Sequence, residues 1–443
     1  MAITSEWVLE SSGDCGGTYE FWVNYATNTQ TGVTTVSTSA LLIDGDVTST
    51  PWKTVNVPVH NLYFRSAGTT ICDNAFKGEF ISNNVRDLSA IGFYDTTFRM
   101  LTIPHGYTTI GDYAFCYGET GSTPTSSLYS ISLPSTLTDV GDYAFAGRWA
   151  IEITQDLSGA GISSLGKYAF AWVHCSENTY YPNGLSIKLN LTEIPERTFF
   201  ESTGAPGAVA SSPAVVNLHN VQTITKIDNY GLYTKFPSGS DIIDFEQVLY
   251  FGKRCLPTYD DTDTLASFTL NSNATYLGPA CFSNLKANVV NLPSPNVLRS
   301  IGEYYDPETG GLADGPFYYN TYIKRLIIDP GWLGAVSLTA FANMSNLEYA
   351  YVPYHFYCGS SYNAFYNSGP RGLLVIDNYQ GYDLYNTLPV DPWHWAGSVH
   401  YLRTRNTGRK ATWFRKKNGT VYKMRFFKKT GASEVKEMVM YVK

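Results

Sequence analysis

The 443-residue sequence predicts a mainly β solenoid, in which stacked coils each contribute one short parallel strand, between small β modules at the two ends. Three observations predict this fold. A six-residue pattern of the type IGDYAF, here called the hexad, recurs along the chain, and a short apolar strand pattern precedes many copies. Only 16% of residues are charged while 15% are aromatic. A recurring core unit is the signature of a repeat array, which also accounts for a chain too long for one ordinary core.

Residues 1–60 contain no hexad. They show the alternation of a strand, as in Tyr19–Val23, and turn signals at Gly16–Gly17 and Asp44–Gly45. We predict a small β module or cap here, because an open solenoid end exposes apolar core and an unpaired strand edge. The first twelve residues lack a basic region followed by an apolar run, and no stretch is apolar and long enough to span a membrane. We therefore expect neither a secretion signal nor a membrane span.

The hexad is most regular at 110–115 (IGDYAF), 140–145 (VGDYAF) and 165–170 (LGKYAF). Looser copies stand at 71–76, 194–199, 227–232, 251–256, 277–282, 301–306, 336–341 and 360–365, those beginning at 227, 251, 301 and 360 being the weakest. The spacing varies above a floor of 24 residues, as expected for a fixed coil with surface insertions, since loops lengthen cheaply. The polar third and fourth positions change between copies, so we interpret the hexad as a structural corner that holds one coil on the next.

A second pattern, LxxIxLP, lies upstream of the hexads, for example at 128–134 and 347–353. Its last two apolar residues share one strand face, and the proline ends the ladder because it has no amide donor. The pattern predicts the strand of each coil, and parallel stacking of such strands about 4.8 Å apart. Together the two patterns predict a solenoid of about 11 irregular repeats over 61–377.

The combined pattern resembles the BspA-like leucine-rich repeats, also called the Treponema pallidum type. The resemblance is strongest over 101–170, weaker over 265–365 and degraded over 199–256. It implies a curved right-handed solenoid of a kind common on bacterial or protozoan surface proteins and also found in phage-associated ones, where it serves adhesion. It implies no catalytic residues. The irregular insertions depart from the family pattern and suggest a specialised array.

The sequence changes character after the repeats. Residues 378–400 are rich in aromatics and proline, and we expect them to close the solenoid end, with Trp393–Trp395 as a packed cap rather than a ligand clamp. Residues 401–443 contain 13 Lys and Arg against two Glu, whereas the preceding residues have a net charge of −18. Asn418–Gly419 supplies a type I′ turn, and Glu434–Val442 alternates as a strand does, so we predict a basic three-stranded meander.

Seven cysteines are spread along the chain with no CxxC pair, and Cys255 and Cys281 occupy the small fifth position of a hexad. This distribution predicts reduced core thiols and folding in a reducing cytoplasm. Without a secretion signal, release by cell lysis favours a virion-associated protein. A bacterial cell-surface protein is the alternative.

No motif for catalysis, phosphate binding or zinc binding is present, so we expect a protein that is not an enzyme, with no cofactor and no bound metal. Two acidic clusters have the oxygen ligands that calcium uses, but solvated loops are the favoured interpretation. These clusters are Asp260, Asp261 and Asp263, and Asp306, Glu308 and Asp314.

Candidate partner-binding residues lie between the buried positions of the strands, where side chains face outward and differ from coil to coil. They are Ser130, Ser132, Ser267, Thr269, Arg325, Ile327, Tyr349 and Tyr351. We expect this face to bind a protein or a glycan, since tyrosine is a large, stiff and amphipathic contact residue. Exposed tyrosine is also ordinary in strands, which leaves a purely structural interpretation open.

Two functional hypotheses follow. The first is a recognition or adhesion protein whose solenoid binds a ligand while a terminal module anchors it to a larger assembly, for instance a virion. The second is a structural or decoration subunit that uses its termini for oligomer contacts. The basic C-terminal meander favours docking onto an acidic protein surface or self-association over nucleic acid, because the acidic body repels phosphates. An enzyme is the least favoured class.

Overall fold

The computed structural model describes residues 2–79, 81–85, 88–93, 99–117, 130–148, 152–173, 185–200, 216–236, 244–259, 264–303, 305–329, 332, 335–337, 339–353, 364–368, 373–378, 398–404, 410–416 and 421–425. Within these residues the chain forms strands and three short 3-10 helices, at Pro51–Val55, Ser89–Ile91 and Phe245–Gln247. From Leu373 onwards only the backbone of the strands is described.

The first three strands are β1 Ile3–Asp14, β2 Gly16–Asn28 and β3 Thr34–Val47. The next strands are β4 Asn61–Ser66, β5 Thr70–Ile71, β6 Met100–Thr102, β7 Thr109–Ile110, β8 Ser130–Leu133, β9 Asp139–Val140, β10 Glu152–Gln155, β11 Ser164–Leu165, β12 Leu185–Lys188, β13 Glu193–Ile194, β14 Val216–His219, β15 Lys226–Ile227, β16 Lys235–Phe236, β17 Tyr250–Phe251 and β18 Thr258–Tyr259. The remaining strands are β19 Leu265–Thr269, β20 Tyr276–Leu277, β21 Ala287–Leu292, β22 Ser300–Ile301, β23 Arg325–Ile328, β24 Ala335–Val336, β25 Tyr349–Pro353, β26 Leu373–Asn378, β27 Ser398–Thr404, β28 Lys410–Lys416 and β29 Val421–Arg425.

The N-terminal strands β1, β2 and β3 form an antiparallel meander. Strand β3 then pairs in parallel with β4, where Ala40 lies opposite Asn61, and with β5, where Val47 lies opposite Ile71. The meander therefore continues directly into the first coil and covers the edge of that coil.

The predicted mainly β solenoid is confirmed. Its longer strands stack in parallel into two sheets: the first long-strand sheet joins β6, β8, β10, β12 and β14, and the second begins with β19, β21, β23, β25, β26 and β27. Ten of the predicted hexads also begin at the end of a second, two-residue strand, as in Thr109–Ile110. These short strands stack as β5-β7-β9-β11, as β13-β15-β17-β20 and as β22-β24.

The hexad is a tight turn that joins one coil to the next. Its fourth residue has a positive φ in eight copies, a conformation that L-residues rarely adopt: Asn74, Tyr113, Tyr143, Tyr168, Arg197, Tyr230, Arg254 and Ala280. The amide of Tyr113 donates to the carbonyl of Asp142 at 2.8 Å, and the third-position Asp112 carboxylate accepts the amide of Asp142 at 2.7 Å. At the second position, a Cβ on Gly111 would lie 2.6 Å from the backbone nitrogen of Asp73, so only glycine permits this approach.

Phenylalanines at the sixth hexad position form a stacked spine through the core. Neighbouring rings lie 4.8–5.9 Å apart over Phe76, Phe115, Phe145, Phe170 and Phe199, and again over Phe282, Phe317, Phe341 and Phe365. The prediction of a complete hexad at 301–306 is wrong, because its sixth residue, Asp306, is not part of the spine. Phe317 takes that place between Phe282 and Phe341. An insertion after β22 separates the short strand from its turn, which conceals the copy from a search for contiguous hexads.

No disulfide joins any two of the described cysteines, Cys15, Cys72, Cys116, Cys255 and Cys281. Burial raises the pKa of Cys255 and of Cys281, so both thiols stay protonated in the core. Their place in the small fifth hexad position agrees with the expectation of reduced core thiols.

The C-terminal strands are antiparallel to one another. Strand β27 pairs with β28, and β28 pairs with β29 on either side of Asn418–Gly419. Strand β27 begins at Ser398 and crosses the boundary that the sequence predicts at residue 400. The predicted strand Glu434–Val442 and the segment Trp393–Trp395 lie outside the described residues.

Candidate recognition surface

The second long-strand sheet brings six of the eight predicted residues together in two adjacent rows. Strand register aligns Ser267, Val289, Arg325 and Tyr349 in one row and Thr269, Asn291, Ile327 and Tyr351 in the other. The residues between the rows are buried: Phe268, Val290, Leu326 and Ala350. We call the outward side of β19, β21, β23 and β25, with these two rows, the recognition face.

Alternation along each strand explains why the rows face outward, since apolar residues at every second position enter the core. The sequence-based selection missed Val289 and Asn291, which complete the two rows. The signal was present in the sequence, because the buried pair Val290 and Leu292 in β21 fixes both residues on the opposite face.

Arg325 and Tyr349 form the most distinctive contact of the recognition face. The guanidinium carbon of Arg325 lies 5.2 Å from the ring centroid of Tyr349, within cation–π range. Arg325 is exposed and Tyr349 is half-buried. Burial raises the pKa of the Tyr349 phenol, and the nearby Arg325 charge partly opposes that rise. No carboxylate of the described residues forms an ion pair with Arg325, which is therefore an exposed cation beside an aromatic ring.

The polar residues of the second row are held in place. The amide of Thr269 donates to Glu246 Oε1 at 2.8 Å, and Asn291 Nδ2 donates to the Thr269 hydroxyl at 3.3 Å. Ile327 and Tyr351 continue this row as larger, partly exposed side chains. The face therefore changes from small polar groups on β19 to aromatic, aliphatic and cationic groups on β23 and β25.

The other two predicted residues lie on the first long-strand sheet. Ser132 is partly exposed and belongs to a row of small hydroxyl side chains, Thr102, Ser132, Thr154 and Ser186. Ser130 is only 3% exposed, so the expectation that it is accessible is wrong. Its hydroxyl has no hydrogen-bond partner in the described part of the chain. Alternation places Ser130 on the outward side, but strand alternation carries no information about what covers that side.

The hexad tyrosines form a separate ladder that supports their structural interpretation. Tyr113, Tyr143 and Tyr168 stack with ring centroids 4.8 and 4.5 Å apart. Lys77 Nζ lies 3.8 Å from the Tyr113 ring centroid, and Arg197 lies over Tyr168 at 5.5 Å. The ring faces are thus covered by one another and by cations, which leaves them unavailable for stacking with a ligand.

The acidic cluster at Asp306, Glu308 and Asp314 pairs with basic side chains. Lys253 Nζ lies 2.8 Å from Asp306 and 2.7 Å from Glu308, and Arg254 lies 3.3 Å from Asp314. Burial disfavours charge on Lys253, but hydrogen bonds to the two carboxylates outweigh this and raise its pKa. These pairs attach the insertion to the coil and engage carboxylates that a calcium ion would need as ligands.

No group of three or more His, Cys, Asp or Glu side chains suited to a metal ion occurs among the described residues. The second acidic cluster, Asp260, Asp261 and Asp263, lies outside them. Within the same part of the chain, no residue belongs to a helix that would reach across a bilayer.

The stacked coils, with a buried spine and a variable outward face, define a leucine-rich-repeat solenoid. A family model described as "BspA type Leucine rich repeat region (6 copies)" matches residues 55–170, 86–205 and 258–371, more than half of the chain. The protein belongs to the BspA-type leucine-rich-repeat family, as its sequence pattern indicated. The unmatched stretch between 205 and 258 is the one where the repeat is degraded. No curated protein and no solved structure matches the sequence.

Proposed function

We propose that this protein is a non-enzymatic recognition or adhesion protein that binds a protein or glycan ligand on the recognition face. Membership of a family whose repeats indicate a protein-binding or recognition role, and which is generally non-enzymatic, supports the class. The observation that carries the choice of face is the pairing of the exposed Arg325 with the Tyr349 ring, next to Ile327 and Tyr351 in register. Aromatic residues and arginine dominate the binding energy of protein interfaces.

We further propose that a terminal module attaches the solenoid to a larger assembly, for which a virion is the leading candidate and a bacterial cell surface the alternative. The domain division that we propose is an N-terminal cap over 1–60, the repeats over 61–377, a closing segment over 378–400 and a basic meander over 401–443. Folding in a reducing cytoplasm is supported by the absence of a disulfide between any two of the five described cysteines.

A second candidate function is a structural or decoration subunit whose termini make oligomer contacts. The observation that favours it is the outer edge of β1, which pairs with no other strand in the described part of the chain. The two functions are compatible, because the recognition face and the terminal strands are different surfaces.

The experiment that tests the recognition function presents the full-length protein to a glycan array and to a displayed library of random peptides. Ligands retrieved by the wild type are then measured against Tyr349→Ala with Tyr351→Ala, and against the matched control Ser132→Ala with Thr154→Ala. We expect the tyrosine variant to lose binding at an unchanged melting temperature while the control binds normally. Equal binding by both variants, or the retrieval of no ligand, would count against the recognition face.

A further inference from the structure

Strand β1 is an exposed edge of unusual length. It has twelve residues and pairs only with β2 within the described chain. Its side chains are exposed almost throughout, including Ile3 at 63%, Val8 at 37% and Leu9 at 43%. Natural edge strands are commonly protected by lysine, by proline or by shortness. The sequence ITSEWVLESSGD contains no lysine, arginine or proline, and the bulge between Leu9 and Ser11 leaves Ile3–Leu9 as a regular edge that can accept another strand.

The charge of β1 specifies the kind of strand that fits. Its charged residues are Glu6, Glu10 and Asp14, all acidic. Residues 1–60 as a whole contain six acidic residues and a single basic one, Lys53. Opposite charges on paired strands stabilise a sheet and like charges destabilise it. A basic strand with apolar residues is therefore the partner that this edge favours.

The other end of the same chain carries such a strand. Residues 401–443 contain 13 Lys and Arg against two Glu. Within the described residues, the second long-strand sheet ends on β29, whose sequence VYKMR includes Lys423 and Arg425. Coils stacked about 4.8 Å apart separate the first strand from the last, so a contact between the two ends joins different molecules.

We propose that the β1 edge of one copy pairs with the outer edge of β29, in the basic C-terminal β segment of a second copy, head to tail. Such a heterologous contact leaves one free acidic edge and one free basic end on every open assembly. Repetition of the contact therefore produces a ring if the rotation closes and a filament if it does not. This inference rests on the subunit function proposed above and is independent of ligand binding by the recognition face.

The test is sedimentation velocity of the full-length protein in two charge-reversal variants. One variant, Glu6→Lys with Glu10→Lys, reverses the charge of the β1 edge. The other, Lys423→Glu with Arg425→Glu, reverses the charge of β29. We expect the wild type to self-associate in low salt and to dissociate in about 1 M salt, where the Debye length is about 3 Å. Each variant alone should associate at least about tenfold more weakly, because each puts like charges on the two strands that would pair.

Mixing the two variants in equal amounts provides the decisive result, since each then offers the charge that the other lacks. We expect the mixture to recover association, which also shows that both variants are folded.

A control with the same charge change elsewhere, Glu303→Lys with Glu348→Lys, should associate as the wild type does. A monomeric wild type, or variants that associate as strongly as the wild type, would overturn the proposal. A mixture that stays monomeric would overturn it as well. The peptide and glycan binding of the edge variants should be unchanged, which separates this proposal from that of the recognition face.

Discussion

The two long-strand sheets have the same interior and different exteriors. In both, aliphatic or aromatic residues alternate into the core, as Ile131 does in β8 and Leu326 does in β23. Outside, the first sheet has a row of small hydroxyl side chains, whereas the second presents Arg325 against Tyr349, with Ile327 and Tyr351 alongside. A repeat that keeps its core and changes one face places its specificity on that face. This difference is why we propose recognition by the second sheet and a scaffolding role for the first.

The largest expected effects test the shared interior. Phe145→Ala, in the coils of the first long-strand sheet, and Phe317→Ala, in those of the second, each remove a fully buried spine ring. Each should cost about 3–5 kcal/mol of local stability. Hydrogen exchange of the neighbouring strands measures the cost region by region. A much smaller cost at Phe317 would show that the turn displaced by its insertion is not equivalent to the regular hexads.

A smaller effect tests a feature of the second region, the pairing of Lys253 with Asp306 and Glu308. Asp306→Asn should cost about 1–3 kcal/mol near neutral pH, because it weakens a charge-assisted hydrogen bond between largely buried side chains. Burial opposes ionisation of Asp306, but the hydrogen bonds from Lys253 and from the Glu308 amide, together with the Lys253 charge, outweigh this and hold the pKa of Asp306 below the ordinary value.

A lowered pKa means that the contribution of Asp306 is present above its ordinary pKa and is lost as the pH falls through the lowered value. The difference in melting temperature between the wild type and Asp306→Asn should therefore shrink in acid. A difference that is independent of pH would show that the carboxylate charge is not what stabilises the insertion.

The contrast between the two exteriors is tested at Arg325. Arg325→Ala should weaken ligand binding by roughly 30-fold, about 2 kcal/mol, if Arg325 is the central contact of the face. Arg325→Lys should recover only part of this loss, because lysine lacks the planar fork that stacks on a ring. Titration calorimetry with a ligand from the arrays measures both values, and Ser132→Ala is the matched control on the first sheet. If Arg325→Lys bound the ligand as tightly as the wild type, Arg325 would contribute only through its positive charge.

The smallest effect concerns Ser130. Its buried hydroxyl has no hydrogen-bond partner among the described residues, so Ser130→Ala removes an uncompensated polar group. We expect a change between zero and about 1 kcal/mol in the stabilising direction, measured by thermal unfolding. Ser132→Ala, at a partly exposed position of the same strand, should have no effect. A clear loss of stability in Ser130→Ala would indicate a partner for the hydroxyl.

Local periodicity explains which parts of the fold the sequence predicts. The hexads and the LxxIxLP strands are visible because each repeats a short apolar spacing, and the rows of the recognition face follow from strand alternation. The two-residue strands, such as Thr109–Ile110, are too short to show a period. Phe317 is separated from its short strand by an insertion, so no contiguous pattern contains it.

Burial by distant residues is the other limit on prediction. Ser130 occupies an outward position and is nevertheless covered, and the side chain of Arg148 is 1% exposed in the core region although its charge predicts a surface position. Burial lowers the pKa of the Arg148 guanidinium to about 10. Its Nε donates to the carbonyl of Phe115 at 2.5 Å, which offsets part of the cost of burial. Neither environment follows from the neighbours of these residues in sequence.

The most direct measurement of the central claim is hydrogen exchange of the full-length protein with and without a retrieved peptide or glycan. If the second long-strand sheet is the recognition surface, ligand should slow exchange in the segments that contain β23 and β25. Exchange in the segments that contain β8 and β10 should be unchanged. Protection of β8 and β10 instead, with no change around Arg325 and Tyr349, would contradict the assignment of recognition to the second sheet.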